Sequence, residues 1–474
     1  MRGGLLVAAI LGCVSGAAQA QTAPPARPAA PARCDLIAQE STHVTTSQVG
    51  GQYVAYAGGG VLIRCPDRGI TLRGDSAEQY PDRDYLVGHV SYDEPRFAVT
   101  SQYLTYFTSD ERVVAAQNVH AKLPNGSTLV GPQAEYRRPD PRFRPHEQIL
   151  AIGRPTITVA QADSLGRPQP PMTVVANTVF MDGDSLMYGS GQVLITRTDV
   201  RASGDSVAIN SALETMRLMR GPSITSTGAK PFTLTGGVID AFSHEKKLQR
   251  VVSRSRADAT TQDMNLRADT IELHVRNDSL QRAIAWGNTL RARAVSPTET
   301  LVADSIDVDM PHQRIRVLNA VRKAYASSRV DSTRFRPQPP SDTLDWLRGD
   351  VVVAHFDTTT HGTPDTSSKP VIKQLVATGH AAAEYHMAGS DTTTRAPAIN
   401  YTRAGVIVVT FDSARVATVA ARDSVVGVYL EPAPDSTKRA AGARAAGPRA
   451  DSSRTRPRSI VPLPVKRPPA RREQ

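Results

Sequence analysis

The sequence has few of the residues and motifs on which most enzymes and membrane proteins depend. Aromatic residues make up 5% of the 474 residues, and only three cysteines are present. No apolar run reaches the ~20 residues that a transmembrane helix needs. The motifs His-Glu-x-x-His, Gly-x-Ser-x-Gly, Walker and Cys-x-x-Cys do not occur. We therefore expect a protein without a transmembrane helix, without a metal or cofactor, and without enzymatic activity.

The first twenty residues have the pattern of a secretory signal peptide. Arg2 precedes a short apolar run at 5–14, and small residues follow it at the positions that signal peptidase recognises. Cleavage is expected after Ala18-Gln19-Ala20, so that the mature chain begins at Gln21. The alternative is lipid anchoring at Cys13, because Ile10-Leu11-Gly12-Cys13 is similar to a lipobox.

Removal of this leader leaves two cysteines, Cys34 and Cys65. Exported proteins fold in an oxidising compartment, where such a pair forms a disulfide. We expect this bond to close a loop of about thirty residues. Metal ligation by the two thiols is the alternative, and it lacks a nearby histidine cluster.

The net charge of +11 is located at the two ends of the chain. Residues 435–474 carry eleven Lys and Arg against three acidic residues, and Arg2, Arg27 and Arg33 supply the rest. The body of the chain is therefore neutral overall, which argues against a nucleic-acid-binding face. Residues 21–33 are expected to form a Pro/Ala linker, and residues 434–474 a disordered basic tail. The alternative for the tail is contact with anionic lipid head groups or the cell wall.

A repeated pattern fills the region between these ends. Each unit has Ala or Gly, then Asp or Asn, then residues that alternate between apolar and polar, and the better preserved units are about 30 residues apart. Alternation in runs of five to seven residues predicts β-strands that stack into one layered core. Pro/Ser/Thr-rich insertions at 161–171 and 331–342 divide the body into three predicted parts, 34–161, 172–330 and 344–431.

Four histidines lie close together in the sequence. Their spacing is compatible with a metal site, but one falls in a Thr-rich loop and the others lie among alternating residues. We interpret them as structural or exposed side chains: His355, His361, His380 and His386.

Two acidic pairs could be mistaken for a glycosidase site. They are Asp307 with Asp309, near His312, and Asp182 with Asp184. Residues i and i+2 of a strand point to the same face, so we expect these carboxylates on the solvent side, with His312 in the turn that follows the strand.

The repeat itself resembles a known family. The units ADTIELHVRNDSLQRAIAWGNTLRARA (268–294) and ADSIDVDMPHQRIRVLNAVRKAYA (303–326) are similar to those of the OstA-like, or LptA-like, periplasmic proteins of lipopolysaccharide transport. In that family an Ala-Asp pair, a strand, a polar turn, a second strand and Gly-Asn-Val recur. Residues 70–330 match this pattern well, and residues 345–430 match it weakly.

This resemblance implies an all-β, elongated β-jellyroll of stacked hairpins, whose aliphatic interior holds the acyl chains of a glycolipid. It also implies a non-catalytic bridge protein of the periplasm, peripheral to membranes, that joins other jellyroll components through its edge strands. The residues expected to face the lipid are Leu104, Val179, Val193, Val207, Ile209, Ile271, Leu273, Leu290, Ile306, Val308, Ile315 and Val317. For each of them, simple burial in the sheet core is the alternative interpretation.

Two other functional classes remain open at this point. A secreted structural β-solenoid, such as an adhesin or a surface scaffold, would also contain many stacked strands, although usually with a stricter period. A carbohydrate-active β-helix enzyme would need an acid/base cluster. The chain is longer than a minimal bridge protein of the family, and the insertions and basic tail have no counterpart there.

Overall fold

The computed structural model describes residues 34–37, 42–162, 166–198, 200–227, 231–262, 264–276, 279–311, 314–336, 338–357, 371–388, 396–412 and 415–432. The residues expected at the signal cleavage site, Cys13, His312 and His361 lie outside these ranges. The described part of the chain contains no helix with the length and hydropathy required to cross a membrane.

The fold is all-β, as the alternating sequence predicts, and its strands are hydrogen-bonded into one antiparallel, elongated sheet. The strands are β1 Asp35–Ile37, β2 His43–Val49, β3 Gln52–Cys65, β4 Ile70–Gln79, β5 Arg83–Asp93, β6 Ala98–Phe107, β7 Arg112–Lys122, β8 Thr128–Arg137, β9 Gln148–Ile152, β10 Thr156–Ala162, β11 Pro168–Val175, β12 Thr178–Asp182, β13 Leu186–Thr196, β14 Val200–Asn210, β15 Thr215–Met219, β16 Ser223–Ser226, β17 Thr233–Thr235, β18 Val238–His244, β19 Lys247–Thr260, β20 Asn265–Arg276, β21 Ser279–Trp286, β22 Ala292–Val295, β23 Glu299–Ala303, β24 Ser305–Asp309, β25 Val317–Arg329, β26 Leu344–Phe356, β27 Ile372–Ala388, β28 Pro397–Asp412, β29 Arg415–Arg422 and β30 Val426–Leu430.

The sheet is folded in two along a line that crosses the long strands near their middle. Tyr92 pairs with Val99 and Tyr106 pairs with Asp84 in the ladder between β5 and β6. Seven residues of extended strand separate Val99 from Tyr106, which is roughly 23 Å at 3.3 Å per residue. The rings of Tyr92 and Tyr106 are nevertheless only 6.1 Å apart. The strands must therefore bend back, so that the two ends of each strand face one another.

We call the resulting layers half A and half B. Half A contains the arm of β6 with Tyr106 and the arm of β13 with Met187, and half B contains the arm of β5 with Tyr92 and the arm of β13 with Ile195. Apolar side chains of both halves form one continuous core between them. The turns at the open ends of the halves form rim A and rim B.

The bend falls at the Gly-Asn part of the repeat unit, which recurs along the chain. The ladder is interrupted between Ala116 and Val119, and Gln117 and Asn118 between them have positive φ. The interruption between Ser190 and Val193 likewise contains Gly191 and Gln192, both with positive φ. A two-residue bulge of this kind bends a strand sharply, so the Gly-Asn part of the repeat supplies the corner of the folded sheet.

The Asp of the Ala-Asp pair stabilises the corner of the neighbouring strand. Asp269 accepts hydrogen bonds from the backbone N–H groups of Asn288, Thr289 and Leu290, at 2.9, 2.9 and 3.0 Å. In another unit the carboxylate of Asp75 lies 2.8 Å from Nδ1 of His89. These contacts explain why the two parts of the repeat recur together.

The predicted disulfide between Cys34 and Cys65 is confirmed, with Cα atoms 4.2 Å apart. It ties the short β1 to the end of β3 at one edge of the sheet. The sheet also runs without interruption across both insertions that separate the three predicted parts, because β10 pairs with β11 and β25 pairs with β26.

Candidate functional site: a methionine-lined cavity

A cavity of about 320 Å³ lies between the two halves, and residues between Asn125 and Leu248 line it. Its walls are mainly apolar, and its lining comes from both halves and both rims. The principal lining side chains are Val159, Met172, Met181, Met187, Ile195, Val200, Ala202, Ile209, Met216, Ile224, Ala241 and Leu248.

Methionines form one wall of this cavity. In half A, Met181 pairs with Met187, Met187 pairs with Ile209, and Ile209 pairs with Met216, so these residues form a row across four strands. Met172 lines the cavity from half B. Methionine side chains are flexible and polarisable, and they adapt to apolar surfaces of different shape. This wall can therefore change its shape around an apolar guest.

The polar side of the cavity lies at the rims. Asn125, Ser127, Glu214 and Lys246 contribute to the lining there. Lys246 Nζ is 3.3 Å from Glu214 Oε1. Burial raises the pKa of Glu214, but hydrogen bonds and charge from Lys246 outweigh it and hold that pKa below its usual value. The pair stays ionised and neutral overall.

Ser127 is the unusual member of this polar side. It is 1% exposed, and its hydroxyl has no hydrogen-bond partner. Buried polar groups nearly always have partners, because an unpaired one costs about 1–3 kcal/mol. Its backbone N–H donates to Asn125 Oδ1 at 3.0 Å, which fixes the turn that carries it.

The rims contact each other directly on the N-terminal side of the cavity. Arg96 of rim B bonds Asp184 of rim A at 2.7 Å and lies 3.5 Å from Glu147. At the cavity itself, Arg197 of rim B donates to the carbonyl oxygen of Lys246 of rim A at 3.3 Å. On the open side of the cavity, the two rims are therefore joined by polar contacts and not by continuity of the sheet.

Closer to the N-terminus, the interior is filled by large polar side chains. Arg138 of rim A bonds Glu94 of rim B at 2.7 Å and Glu111 at 2.8 Å. Tyr136 donates its hydroxyl hydrogen bond to Glu94 and stacks on Phe97 with ring centroids 3.9 Å apart. Burial, and then the charge of Glu94, raises the pKa of Tyr136. We call the part of the interior that residues 66–123 and 134–147 enclose the sealed section.

Asp84 lies inside the sealed section and points into the core. It is 2% exposed, and one of its carboxylate oxygens has no partner. Burial raises the pKa of Asp84 to about 6, against a smaller opposing effect of Gln79.

Most residues expected to face a lipid are buried in the sheet core. Ile209 lines the cavity, and Ile315 and Val317 are partly buried. Leu290 is 39% exposed, and its expected inward position is wrong. It lies in the bend at 288–290, before β22 begins at Ala292, so the alternation of the strand does not yet hold there. The fully buried members are Leu104, Val179, Val193, Val207, Ile271, Leu273, Ile306 and Val308.

The acidic pairs lie on the outer face of the sheet or at a rim. Asp307 accepts from Arg282 Nε at 2.8 Å, and Asp309 accepts from Arg316 Nε at 2.7 Å. Asp182 accepts a long hydrogen bond from Gln148, and Asp184 bonds Arg96. Each pair is thus engaged in contacts that stabilise the sheet.

The described histidines make separate contacts. His380 Nδ1 lies 2.9 Å from Asp350 at a corner, and His386 Nδ1 lies 2.9 Å from Asp345. His355 lies in β26 and pairs with Val317. Within the described residues, no three His, Cys, Asp or Glu side chains are grouped as metal ligands would be.

The methionine wall and the sealed section were not predicted from the sequence. Five of the nine methionines fall between 172 and 219, and this clustering was the available signal. Comparison with known protein families and with curated proteins found no match.

Proposed function

We propose that this protein is a non-catalytic lipid-binding bridge protein of the periplasm, which takes part in the transport of lipopolysaccharide or a related glycolipid. The methionine-lined cavity between the folded halves is the observation that carries this proposal. Its volume lies at the lower end of the ~300–1,000 Å³ typical of ligand sites, and such sites are mostly apolar with a few polar groups.

Two features of the fold support the place of this protein in an export pathway. The Cys34–Cys65 disulfide is favoured in an oxidising compartment. Among the described strands, β30 pairs only with β28, and Val426, Val428 and Leu430 of β30 are exposed. An apolar edge strand with one unpaired side is suited to accept a strand from a partner protein.

Photo-crosslinking in cells that make lipopolysaccharide tests the proposal. We expect a photoreactive amino acid at Met187 to give lipid adducts, because its side chain lines the cavity. The same amino acid at Asp307, which pairs with Arg282 on the outer face, is the matched control and should give none. Lipid adducts at Asp307 alone, or at neither position, would contradict the proposal.

Cell fractionation distinguishes the scaffold alternative. A bridge protein should remain with the periplasmic and envelope fractions. Recovery of the protein at the cell surface or in the medium would instead favour an adhesin or a surface scaffold.

A further inference from the structure

Three aromatic side chains form a row on the outer face of half B, away from the cavity. Side chains alternate along β26, so buried Leu347 faces the core and Trp346 lies on the opposite face. The ring centroid of Trp346 lies 6.0 Å from that of Tyr325, with 26° between the ring planes. It lies 6.1 Å from the ring centroid of Tyr401, in an edge-on arrangement. All three aromatic side chains are partly exposed, so they form a narrow aromatic track across β25 to β28.

Polar side chains continue the same row from strand to strand. Ser327 pairs with Trp346, and Glu384 pairs with both Trp346 and Tyr401. Ser327 pairs on its other side with Thr300. Neighbouring strands are about 4.8 Å apart, which is close to the rise per sugar of an extended β-linked polysaccharide. A polysaccharide that lies along the row therefore meets a ring, a hydroxyl or a carboxylate at each strand.

Two arginines flank the track on the side of the bends. Arg348 and Arg403 are exposed, and no acidic side chain among the described residues pairs with either of them. The guanidinium carbon of Arg348 lies 5.5 Å from the ring centroid of Trp346. A guanidinium can form two parallel hydrogen bonds with a carboxylate. The charge beside the aromatic track therefore complements an anionic ligand.

The combination of rings and charged groups favours a saccharide over a protein or a lipid. A sugar ring has a face of C–H groups, which packs on the electron-rich face of an aromatic ring. Its hydroxyls can bond Glu384 and Ser327 at the same time. The centre of a protein interface is depleted of charged residues, and an acyl chain would leave Glu384 and the arginines without partners.

We propose that the outer face of half B, at β25 to β28, binds an extended acidic polysaccharide. Its sugar rings pack on Tyr325, Trp346 and Tyr401, and its carboxylates bond Arg348 and Arg403. The cavity takes no part in this binding, so the inference adds a second ligand surface to the proposed lipid-binding function.

Two hexasaccharides of the same linkage test the role of charge. Hexamannuronate and mannohexaose are both β-1,4-linked, and they differ only in the carboxylate on each sugar. We expect the purified full chain to bind hexamannuronate about fivefold more tightly at low salt in titration calorimetry, the effect of two exposed charge pairs. In Trp286→Phe, Trp346 is the only tryptophan, and its fluorescence should change when either saccharide binds.

Two variants locate the site. Trp346→Ala should weaken binding of hexamannuronate at least about tenfold, as the loss of a central aromatic contact does. Arg403→Gln changes an exposed side chain, and it should weaken hexamannuronate about two- to fivefold without affecting mannohexaose. The matched control is Tyr188→Ala, because Tyr188 is exposed and stacks on Phe180 with ring centroids 6.3 Å apart, but on half A. Thermal denaturation checks that each variant is folded.

Three results would overturn the inference. The first is no binding of hexamannuronate, or equal binding of the two hexasaccharides. The second is an equal loss of affinity in Trp346→Ala and Tyr188→Ala, or no loss in Arg403→Gln. The third comes from a photoreactive amino acid at Tyr401 without saccharide. Cross-links from it to residues 433–474 or to a second copy of the chain would show that protein covers this face instead.

Discussion

The sealed section and the cavity are built from the same repeated unit, yet their interiors differ. In the sealed section, Tyr92, Tyr106 and Tyr136 reach across between the halves, and Arg138 and Glu94 join the rims. In the cavity, methionines and small side chains replace them and leave space. Backbone pairing is antiparallel with similar corners in both regions. The side chains, and not the topology, therefore decide whether the folded sheet is filled or hollow.

Each region also contains one buried side-chain oxygen without a partner. In the sealed section it belongs to Asp84, and in the cavity it belongs to Ser127. The carboxyl adapts by holding a proton to a higher pH, since it is enclosed by protein. The Ser127 hydroxyl carries no charge that a proton could remove, so it stays buried and unpaired. An unpartnered buried oxygen thus has a different consequence in the sealed section and at the cavity.

The largest effect is expected from opening the sealed section. Arg138→Ala leaves Glu94, whose side chain is 5% exposed, without its cationic partner. Removal of one partner of a buried ion pair costs about 3–5 kcal/mol. We expect that loss in the free energy of unfolding, measured by urea denaturation. Arg142→Ala is the control, because Arg142 is 79% exposed in its pair with Asp140 and should have little effect. Similar losses for both variants would show that the rim contact does not hold the section closed.

The next effect depends on pH. The folded pKa of Asp84, about 6, lies above the ~4 of an unfolded aspartate. The folded state thus binds the extra proton, so this carboxyl makes the protein less stable as pH rises from about 4 to 6. Asp84→Asn should remove this dependence and raise the free energy of unfolding at pH 7 by up to about 3 kcal/mol. Denaturation curves between pH 4 and 8 measure it, with the exposed Asp67→Asn as control. If Asp84→Asn keeps the wild-type pH dependence of the free energy of unfolding, another group is responsible for that dependence.

The smallest expected effect is a change in the free energy of unfolding that has opposite signs for the cavity and for the sealed section. Ala241 lines the cavity, whereas Ala115 is fully buried in the sealed section. Ala241→Leu should add about 0.5–2 kcal/mol to the free energy of unfolding by filling empty space. Ala115→Leu should remove about 1–3 kcal/mol by overpacking. The two variants are compared by thermal and urea denaturation. Destabilisation by both would mean that the cavity walls cannot admit additional atoms.

The sequence was sufficient to predict the strands and most of their inward faces. Strict alternation in Ser305–Asp309 places Ile306 and Val308 in the core and their acidic neighbours outside, as the structure shows. Leu290 was misplaced because it lies in the corner itself, before β22 begins, whereas Ala292 and Ala294 face inward as the alternation predicts. The cavity could not be predicted, because it depends on side chains from opposite halves that meet only after the sheet folds in two.

The corner has a consequence for how such a chain can grow. Because each unit carries both its two-residue bend and the aspartate that stabilises a neighbouring bend, a duplicated unit would bring its own geometry with it. Of the two insertions, the described residues of 161–171 lie at the rim-side ends of β10 and β11, and those of 331–342 lie at the rim between β25 and β26, away from the bends. Length variation is thereby confined to the open side of the molecule. Residues can be inserted at the rims without changing the alignment of the bends from one strand to the next.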